Sequence, residues 1–252
     1  KRGKKQFLND KFLSTLHNKV NLNWLDDVSE SPDLSDVQKH INALKGTFFN
    51  SIVAFGGGSV IDTAKALSVF FNSESQEFSI KEVILNKNNF NFSKKTLLYA
   101  IPTTSGTGSE VTPFATIWDH TEKKKYSLDG ESIYPYSAFI DSELTDGLPL
   151  EITLSTGLDA INQASESIWN KRASGFTIDL AIKALKLGFS SLPLLIEKNE
   201  NAKLRNNMSE CSLLAGLAIS QTRTAVCHSI SYPLTAHFGV PHGLACAFTM
   251  VE

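Results

Sequence analysis

Three histidines fall within fifteen residues of the stretch CHSISYPLTAHFGVPHG: His228, His237 and His242. A lone histidine among apolar neighbours is usually a hydrogen-bonded core residue. Three so close together favour a metal or acid–base site, and imidazole combined with carboxylate suits Fe2+ or Zn2+. A carboxylate is on hand in TGLDAINQAS, residues 156–165. Asp159 and Gln163 are four residues apart there, so on a helix they share one face. A carboxylate and an amide on an otherwise apolar helix face need an explanation, and a metal held between Asp159 and the histidines supplies one.

Two glycine-containing stretches point to a second kind of ligand. VAFGGGSVIDTAKA places Gly56, Gly57 and Gly58 between a strand-like run and a helix-like run. Glycines allow close backbone approach and positive φ, and a helix N-terminus with free N–H groups receives anions such as a pyrophosphate. Ser59 followed by Asp62 reads as a capping box. The stretch is neither GxGxxG nor a Walker A sequence, and a tight strand-to-helix turn would look the same. IPTTSGTGSEVT, residues 101–112, carries hydroxyls at Thr103, Thr104, Ser105, Thr107, Ser109 and Thr112 around Gly106 and Gly108. It is either a Ser/Thr-rich loop or a set of donors for a cofactor's polar groups. Both stretches follow apolar runs, and loops after consecutive parallel strands lie at one sheet edge, where α/β proteins bind ligands.

The positioning elements are readable in outline. Phe7, Leu8, Phe12, Leu13 and Leu16 form a helical stripe over 4–18. SPDLSDVQKHINALK reads as a helix start and helix, with Val37, Ile41 and Leu44 inside. SIVAF (51–55), TLLYAI (96–101) and AFID (138–141) read as buried strands, and VIDTAKALSVFF as a helix. The polar, Asn-rich residues 73–95 read as a surface excursion. From about Glu151 onward helical periodicity dominates, in FTIDLAIKALKLGFSSLPLLIEK and LRNNMSECSLLAGLAIS. Gly147 and Pro149 punctuate the change. The expected organisation is an α/β nucleotide-binding domain over 1–150 and an all-α domain over 151–252.

Bulk properties exclude several classes. With 252 residues, 42% hydrophobic and 20% charged, the chain suits one large globular domain or two small ones. A net charge of −2 gives no basic stripe for nucleic acid, and Lys123, Lys124 and Lys125 read as a solvated turn. Cys211, Cys227 and Cys246 are an odd set without CxxC spacing, as expected in a reducing, cytoplasmic compartment. The basic opening KRGKKQFLND has no apolar core after it, so no signal peptide is expected. No apolar run reaches about 18 residues, so no membrane span is expected either.

Taken together, GGGSVIDTAKA, PTTSGTGSEVT, GLDAINQASES and CHSISYPLTAHFGVPHG resemble the iron-containing (group III) alcohol dehydrogenase family, in its order and spacing. The resemblance implies a dehydroquinate-synthase-like fold: a Rossmann-like N-terminal domain and a helical C-terminal domain. It implies interconversion of a small alcohol and an aldehyde with NAD or NADP and a metal, Fe2+ or Zn2+, in a protein expected to be a homodimer. The diphosphate loop corresponds to Gly56, Gly57, Gly58 and Ser59, with Asp62 just beyond. The second cofactor loop corresponds to Thr103, Thr104, Thr107 and Ser109, and Lys125 matches a lysine near the cofactor. Asp159, His228 and His242 match three metal ligands of the family.

The departures are as informative. The fourth ligand position holds Gln163 instead of histidine, an oxygen donor from which weaker binding of Fe2+ or Zn2+ is expected. Tyr232 stands where many relatives have a proton-relaying histidine, and a phenol, with an ordinary pKa near 10, is a poorer relay at neutral pH. Gln163 and the nearby ESIW are shared with a branch resembling phosphonoacetaldehyde reductases. The family is longer at both ends, with a strand before KRGKKQFLND and helices after PHGLACAFTMVE, so the chain reads as truncated on both sides. Two other readings stay open: a non-catalytic nucleotide-binding relative without a working metal, and a lyase resembling dehydroquinate synthase.

Overall fold

The computed structural model describes residues 2–10, 14–15, 19–71, 77–86 and 96–250. The chain opens with α1 (Arg2–Asn9). α1 covers the first part of the stripe expected over 4–18, residues 14–15 are helical as well, and Phe12, Leu13 and Leu16 lie outside the described residues. Phe7 is buried edge-on against Trp24 and Phe55, with centroids 5.2 and 5.4 Å away. The next helix, α2 (Leu34–Ala43), starts at the predicted signal: the Asp33 carboxylate accepts from the Ser35 N–H at 2.8 Å.

β1 (Ser51–Gly56) runs into α3 (Gly58–Phe70). Every residue of α3 from Thr63 to Phe70 is buried, because the helix is covered on two sides. Ile61 and Ala64 pack with the sheet residues Ala54, Leu98 and Ala100. Ala66, Leu67, Val69 and Phe70 pack with Val37, Ile41, Ile117 and Leu128. Full burial of each large aliphatic side chain stabilises by roughly 1.5–3 kcal/mol. Lys65 is fully buried within this helix, and its Nζ donates to Thr112 O (2.9 Å), Thr112 Oγ1 (3.2 Å) and Phe114 O (2.7 Å). Those bonds compensate a charge that would otherwise be costly to bury, and they pin the end of the second glycine loop onto α3.

The stretch read as a polar excursion contains a helix among its described residues, α4 (Ile80–Leu85). It is opened by a capping box between Ser79 and Glu82, and Ile80, Val83 and Ile84 are buried. β2 (Leu97–Pro102) pairs in parallel with β1, from Ser51 opposite Leu97 to Gly56 opposite Pro102. Next comes an antiparallel hairpin absent from the sequence reading, β3 (Phe114–Asp119) and β4 (Lys124–Asp129). Its turn places Lys123 at φ 52°. β5 (Ser137–Ala138) completes a parallel sheet of order β1-β2-β5. The strand expected over 138–141 thus begins earlier and is shorter, because the Asp141 carboxylate accepts from the Glu143 N–H and starts a 3-10 turn that takes the chain off the sheet.

After Leu150 the described chain contains only helices and their connections: α5 (Leu150–Trp169), α6 (Gly175–Glu197), α7 (Ala202–Thr222), α8 (Val226–Phe238) and α9 (His242–Ala247). Their core is largely alanine, with Ala160, Ala164, Ala181, Ala184, Ala215 and Ala218 around Ile161, Leu192 and Met208. Small side chains let the three long helices approach closely. No helix of the described residues is long and apolar enough to cross a membrane.

Candidate functional site

The two glycine loops meet at the carboxyl ends of β1 and β2, where the Thr103 N–H donates to Gly56 O at 3.0 Å. Gly57 caps α3 without any side-chain hydrogen bond to its first turn, the condition for an anion site at a helix N-terminus. The capping box expected from Ser59 and Asp62 does not form, since α3 starts one residue before Ser59. The half-buried Asp62 carboxylate instead accepts from Ser109 Oγ at 2.5 Å and the Thr116 N–H at 2.8 Å. It braces the second loop. Positive φ is also not the reason for the glycines, because none of Gly56, Gly57 and Gly58 adopts it. The reason is the other loop: a Cβ on Gly58 would lie 2.6 Å from Thr107 Cγ2, and one on Gly57 3.2 Å from Thr104. Thr103, Thr104, Thr107 and Ser109 are thereby brought onto the start of α3.

The same loop touches the helices. The Gln163 Nε2 donates to Thr107 O at 3.2 Å. Gln163 lies one turn beyond Asp159 on α5 and Glu166 lies about one turn further, so all three occupy one buried stripe. Glu166 is fully buried and accepts from the N–H groups of Ala225 (2.9 Å), Cys227 (2.6 Å) and His228 (3.2 Å). Ala225 offers α8 no side-chain cap, so a carboxylate from another helix takes that role, where its charge also suits the helix dipole. His228 Nδ1 is 2.6 Å from Glu166 Oε2, and its Nε2 is 3.2 Å from Asp159 Oδ1.

His242 opens α9 beside them. Its ring meets His228 edge-on, with centroids 5.3 Å apart, and lies parallel to Tyr232 at 6.1 Å. Its Nε2 is 3.9 Å from Asp159 Oδ1 and 3.7 Å from Cys246 Sγ. Asp159, His228, His242 and Cys246 each present a donor atom, all within 4.8 Å of one another. One oxygen, two imidazole nitrogens and a sulfur form a set that suits Zn2+ or Fe2+. Gln163 Oε1 is buried and has no hydrogen-bond partner, a further oxygen left open on the same stripe. The third histidine of the sequence cluster, His237, is exposed on the last turn of α8 and is not among these donors. Lys125 leaves the solvated turn read for its run: its Nζ lies 3.5 Å from the Tyr232 ring centroid.

The electrostatics sort the two histidines. Burial disfavours charge on His228, but the hydrogen bonds it makes to Asp159, Cys246 and Glu166 outweigh that and raise its pKa well above the usual value. Burial pushes His242 down to about 4, against the pull of Asp159 and with His228 and Lys125 adding to the fall. That shift favours the neutral ring at pH 7, with Nδ1 beside Ser231 Oγ at 3.4 Å and Nε2 beside Cys246 Sγ at 3.7 Å. Burial alone would raise the Glu166 carboxyl; His228 and the N–H groups at the start of α8 hold it below the usual range.

Glu166 and Cys246 are the site residues absent from the sequence reading. Both carried a spacing signal: Glu166 is seven residues after Asp159, and Cys246 four after His242. Each spacing returns to the same helix face.

Comparison with known proteins gives consistent matches. The family model for iron-containing alcohol dehydrogenases matches residues 2–142, and the model for the C-terminal part of Fe-containing alcohol dehydrogenases matches residues 153–252. The 1-propanol dehydrogenase PduQ of Salmonella typhimurium is 36% identical over 242 residues, covering 94% of this chain and 61% of the relative. The bifunctional aldehyde-alcohol dehydrogenase AdhE of Escherichia coli is 34% identical, covering 88% of this chain and 26% of its own length. The chain thus spans less than two thirds of the first of these curated relatives and about a quarter of the second. Among solved structures, an iron-containing alcohol dehydrogenase from Thermotoga maritima superposes with a TM-score of 0.88 at 32% identity, over 97% of this chain and 66% of that one. A sulfoacetaldehyde reductase from Bifidobacterium kashiwanohense, in complex with NAD+, superposes at 0.85 with 32% identity, over 97% and 63%.

Proposed function

This chain belongs to the iron-containing alcohol dehydrogenase family, and from that premise we propose that it interconverts an alcohol and an aldehyde with NAD(H) or NADP(H) and a divalent metal, Fe2+ or Zn2+. Its fold is the dehydroquinate-synthase-like one. The single observation that carries the proposal is the bond from Gln163 to Thr107 O: the loop at the anion-ready start of α3 and the donor cluster share one wall. In this reading residues 1–150 form the dinucleotide-binding domain and 151–252 the helical metal-holding domain.

Gly56, Gly57, Gly58 and Ser59 would receive the pyrophosphate at the uncapped turn of α3, with Thr103, Thr104, Thr107, Ser109 and Lys125 lining the rest and Asp62 bracing the loop. Hydride chemistry is the dinucleotide's, and the chain supplies orientation. Asp159, His228 and His242 would hold the metal, with the Gln163 oxygen on the same stripe. When bound, the metal supplies Lewis-acid polarisation of the substrate's oxygen. Glu166 fixes the His228 ring so that Nε2 points at Asp159, the orienting role carboxylates play behind ligand histidines. His242 contributes its neutral nitrogen. Tyr232, stacked on His242, is placed to hold the proton exchanged with the substrate's oxygen. Full-length protein should oxidise NAD(P)H with an aldehyde only when metal-loaded; an unchanged rate after complete metal removal would refute the reading.

The finer proposal is an aldehyde with an anionic head, phosphonoacetaldehyde in particular. Lys125 supports it, a cation beside Tyr232 with no carboxylate in ion-pair range among the described residues. So does the structural likeness to a reductase of an anionic aldehyde. Arg223 is already paired to Asp129 at 2.6 Å and adds little. We expect kcat/KM for phosphonoacetaldehyde to exceed that for a neutral aldehyde of similar size by about tenfold or more, the scale of one retained charged hydrogen bond. Equal values would sink this substrate and leave the family reading intact. A cytoplasmic homodimer completes the proposal. Three unpaired cysteines support a reducing compartment, and sedimentation of the full-length protein as a monomer would contradict the dimer.

Gly58→Val tests the dinucleotide site. The new side chain must displace Thr107 and fill the turn, so NAD(P)H affinity should fall by about tenfold or more with helix content retained, since a mis-seated phosphate forfeits charge-assisted hydrogen bonds. Calorimetry showing wild-type affinity in a folded variant would refute the placement.

A further inference from the structure

We propose that Cys246 is a ligand of the metal, making the centre an Asp159–His228–His242–Cys246 set that favours Zn2+ over Fe2+. The inference rests on the metal reading above and adds a sulfur to it. In a tetrahedral zinc site with metal–ligand distances of about 2.0–2.3 Å, neighbouring donor atoms stand roughly 3.3–3.8 Å apart. Here Asp159 Oδ1 is 3.2 Å from His228 Nε2 and 3.9 Å from His242 Nε2, and Cys246 Sγ is 3.7 Å from His242 Nε2. These separations bracket that edge length, and all four donors lie within 4.8 Å of one another.

The local structure places the sulfur there by construction. Cys246 follows His242 by one turn of α9, so both side chains leave the same face of one short helix. Gln163 is tied by its Nε2 to the Thr107 carbonyl, leaving only a neutral amide oxygen to offer. A thiolate is a far stronger donor to Zn2+ than an amide oxygen, and sulfur raises preference for Zn2+ over harder ions. On binding, the S–H bond breaks, its proton passes to solvent and a sulfur–metal bond forms. The other two thiols, Cys211 and Cys227, are buried outside the cluster.

Titration of chelator-treated, full-length protein with Co2+ as a coloured stand-in tests this. Wild type and Cys211→Ala should both show a near-ultraviolet thiolate-to-cobalt charge-transfer band together with visible d–d bands. Cys246→Ser should keep the d–d bands and lose the charge-transfer band. Its Zn2+-to-Fe2+ affinity ratio, measured anaerobically, should fall by about tenfold, at the low end of metal-site perturbations. Should that variant not fold, X-ray absorption of zinc-loaded wild type decides, with a sulfur scatterer expected at about 2.3 Å. Bound Co2+ without the charge-transfer band, or zinc without the sulfur scatterer, overturns Cys246 ligation and leaves the Asp159–His228–His242 reading in place. Failure of wild type to bind Co2+ or Zn2+ in equilibrium dialysis overturns both.

Discussion

His242→Ala should lose bound metal and, with it, aldehyde reduction by about a thousandfold or more, the kinetic equivalent of several kcal/mol of Lewis-acid stabilisation. The effect is large because His242 Nε2 faces both Asp159 Oδ1 and Cys246 Sγ, at 3.9 and 3.7 Å, so its removal takes out the donor that links the two. Without it, Asp159 and His228 are left paired at 3.2 Å, an arrangement that needs no metal. The loss should be specific. Glu166 still caps α8 and still holds His228, so the fold should persist, and the start of α3 should bind NAD(P)H as before. Metal analysis, steady-state kinetics and cofactor titration on one preparation check all three. Wild-type turnover in a variant shown to be free of metal would show that the cluster has no catalytic part.

Gly243→Ala should weaken metal binding by about 10–100-fold without altering any donor, the range seen when supporting residues of metal sites are changed. A Cβ at this position would fall 1.7 Å from Ser155 O and 3.1 Å from the Asp159 N–H nitrogen. Neither is a flexible side chain, so the added methyl must push α9 off the backbone of α5. His242 is the adjacent residue, and its Nε2 already stands 3.9 Å from Asp159 Oδ1. The same displacement should cost about 1–3 kcal/mol of stability, as overpacking does. Gly239→Ala is the matched control. Gly239 has φ +67° and open space around its Cβ position, so alanine strains the cap of α8 while leaving the cluster in place. If Gly243→Ala binds Zn2+ like wild type in a competition titration, the close packing of α9 on α5 is not what sets the site.

Much of this molecule follows local rules. The apolar runs of β1 and β2, the Asp33 cap of α2 and the periodicity of α6 and α7 are short-range patterns, and each element formed close to where its pattern lies. The pairing of two polar loops at one sheet edge follows from parallel strands, and the shared face of Asp159 and Gln163 from the helical repeat. Local patterns mislead where a distant partner competes for the same group. Ser59 and Asp62 have capping-box spacing, yet Asp62 is taken by Ser109 and Thr116. The run AFID reads as strand, yet Asp141 turns the chain away.

By itself, then, the sequence determined which residue types reach the site and on which elements they ride, because one turn of helix or one strand end is enough to place them. The tertiary structure alone decided which groups meet. Glu166 is one more polar residue in a helix until α8 lays its uncapped N–H groups against it. Cys246 is one more buried thiol until α9 seats on Ser155 and Asp159, and the glycines at 57 and 58 gain their purpose from Thr104 and Thr107 in another loop. In each case the partners are 45 or more residues apart in the chain. No periodicity spans that distance; only the packed core brings such groups within reach, and there an unmet buried charge or a single extra methyl costs enough to select one arrangement.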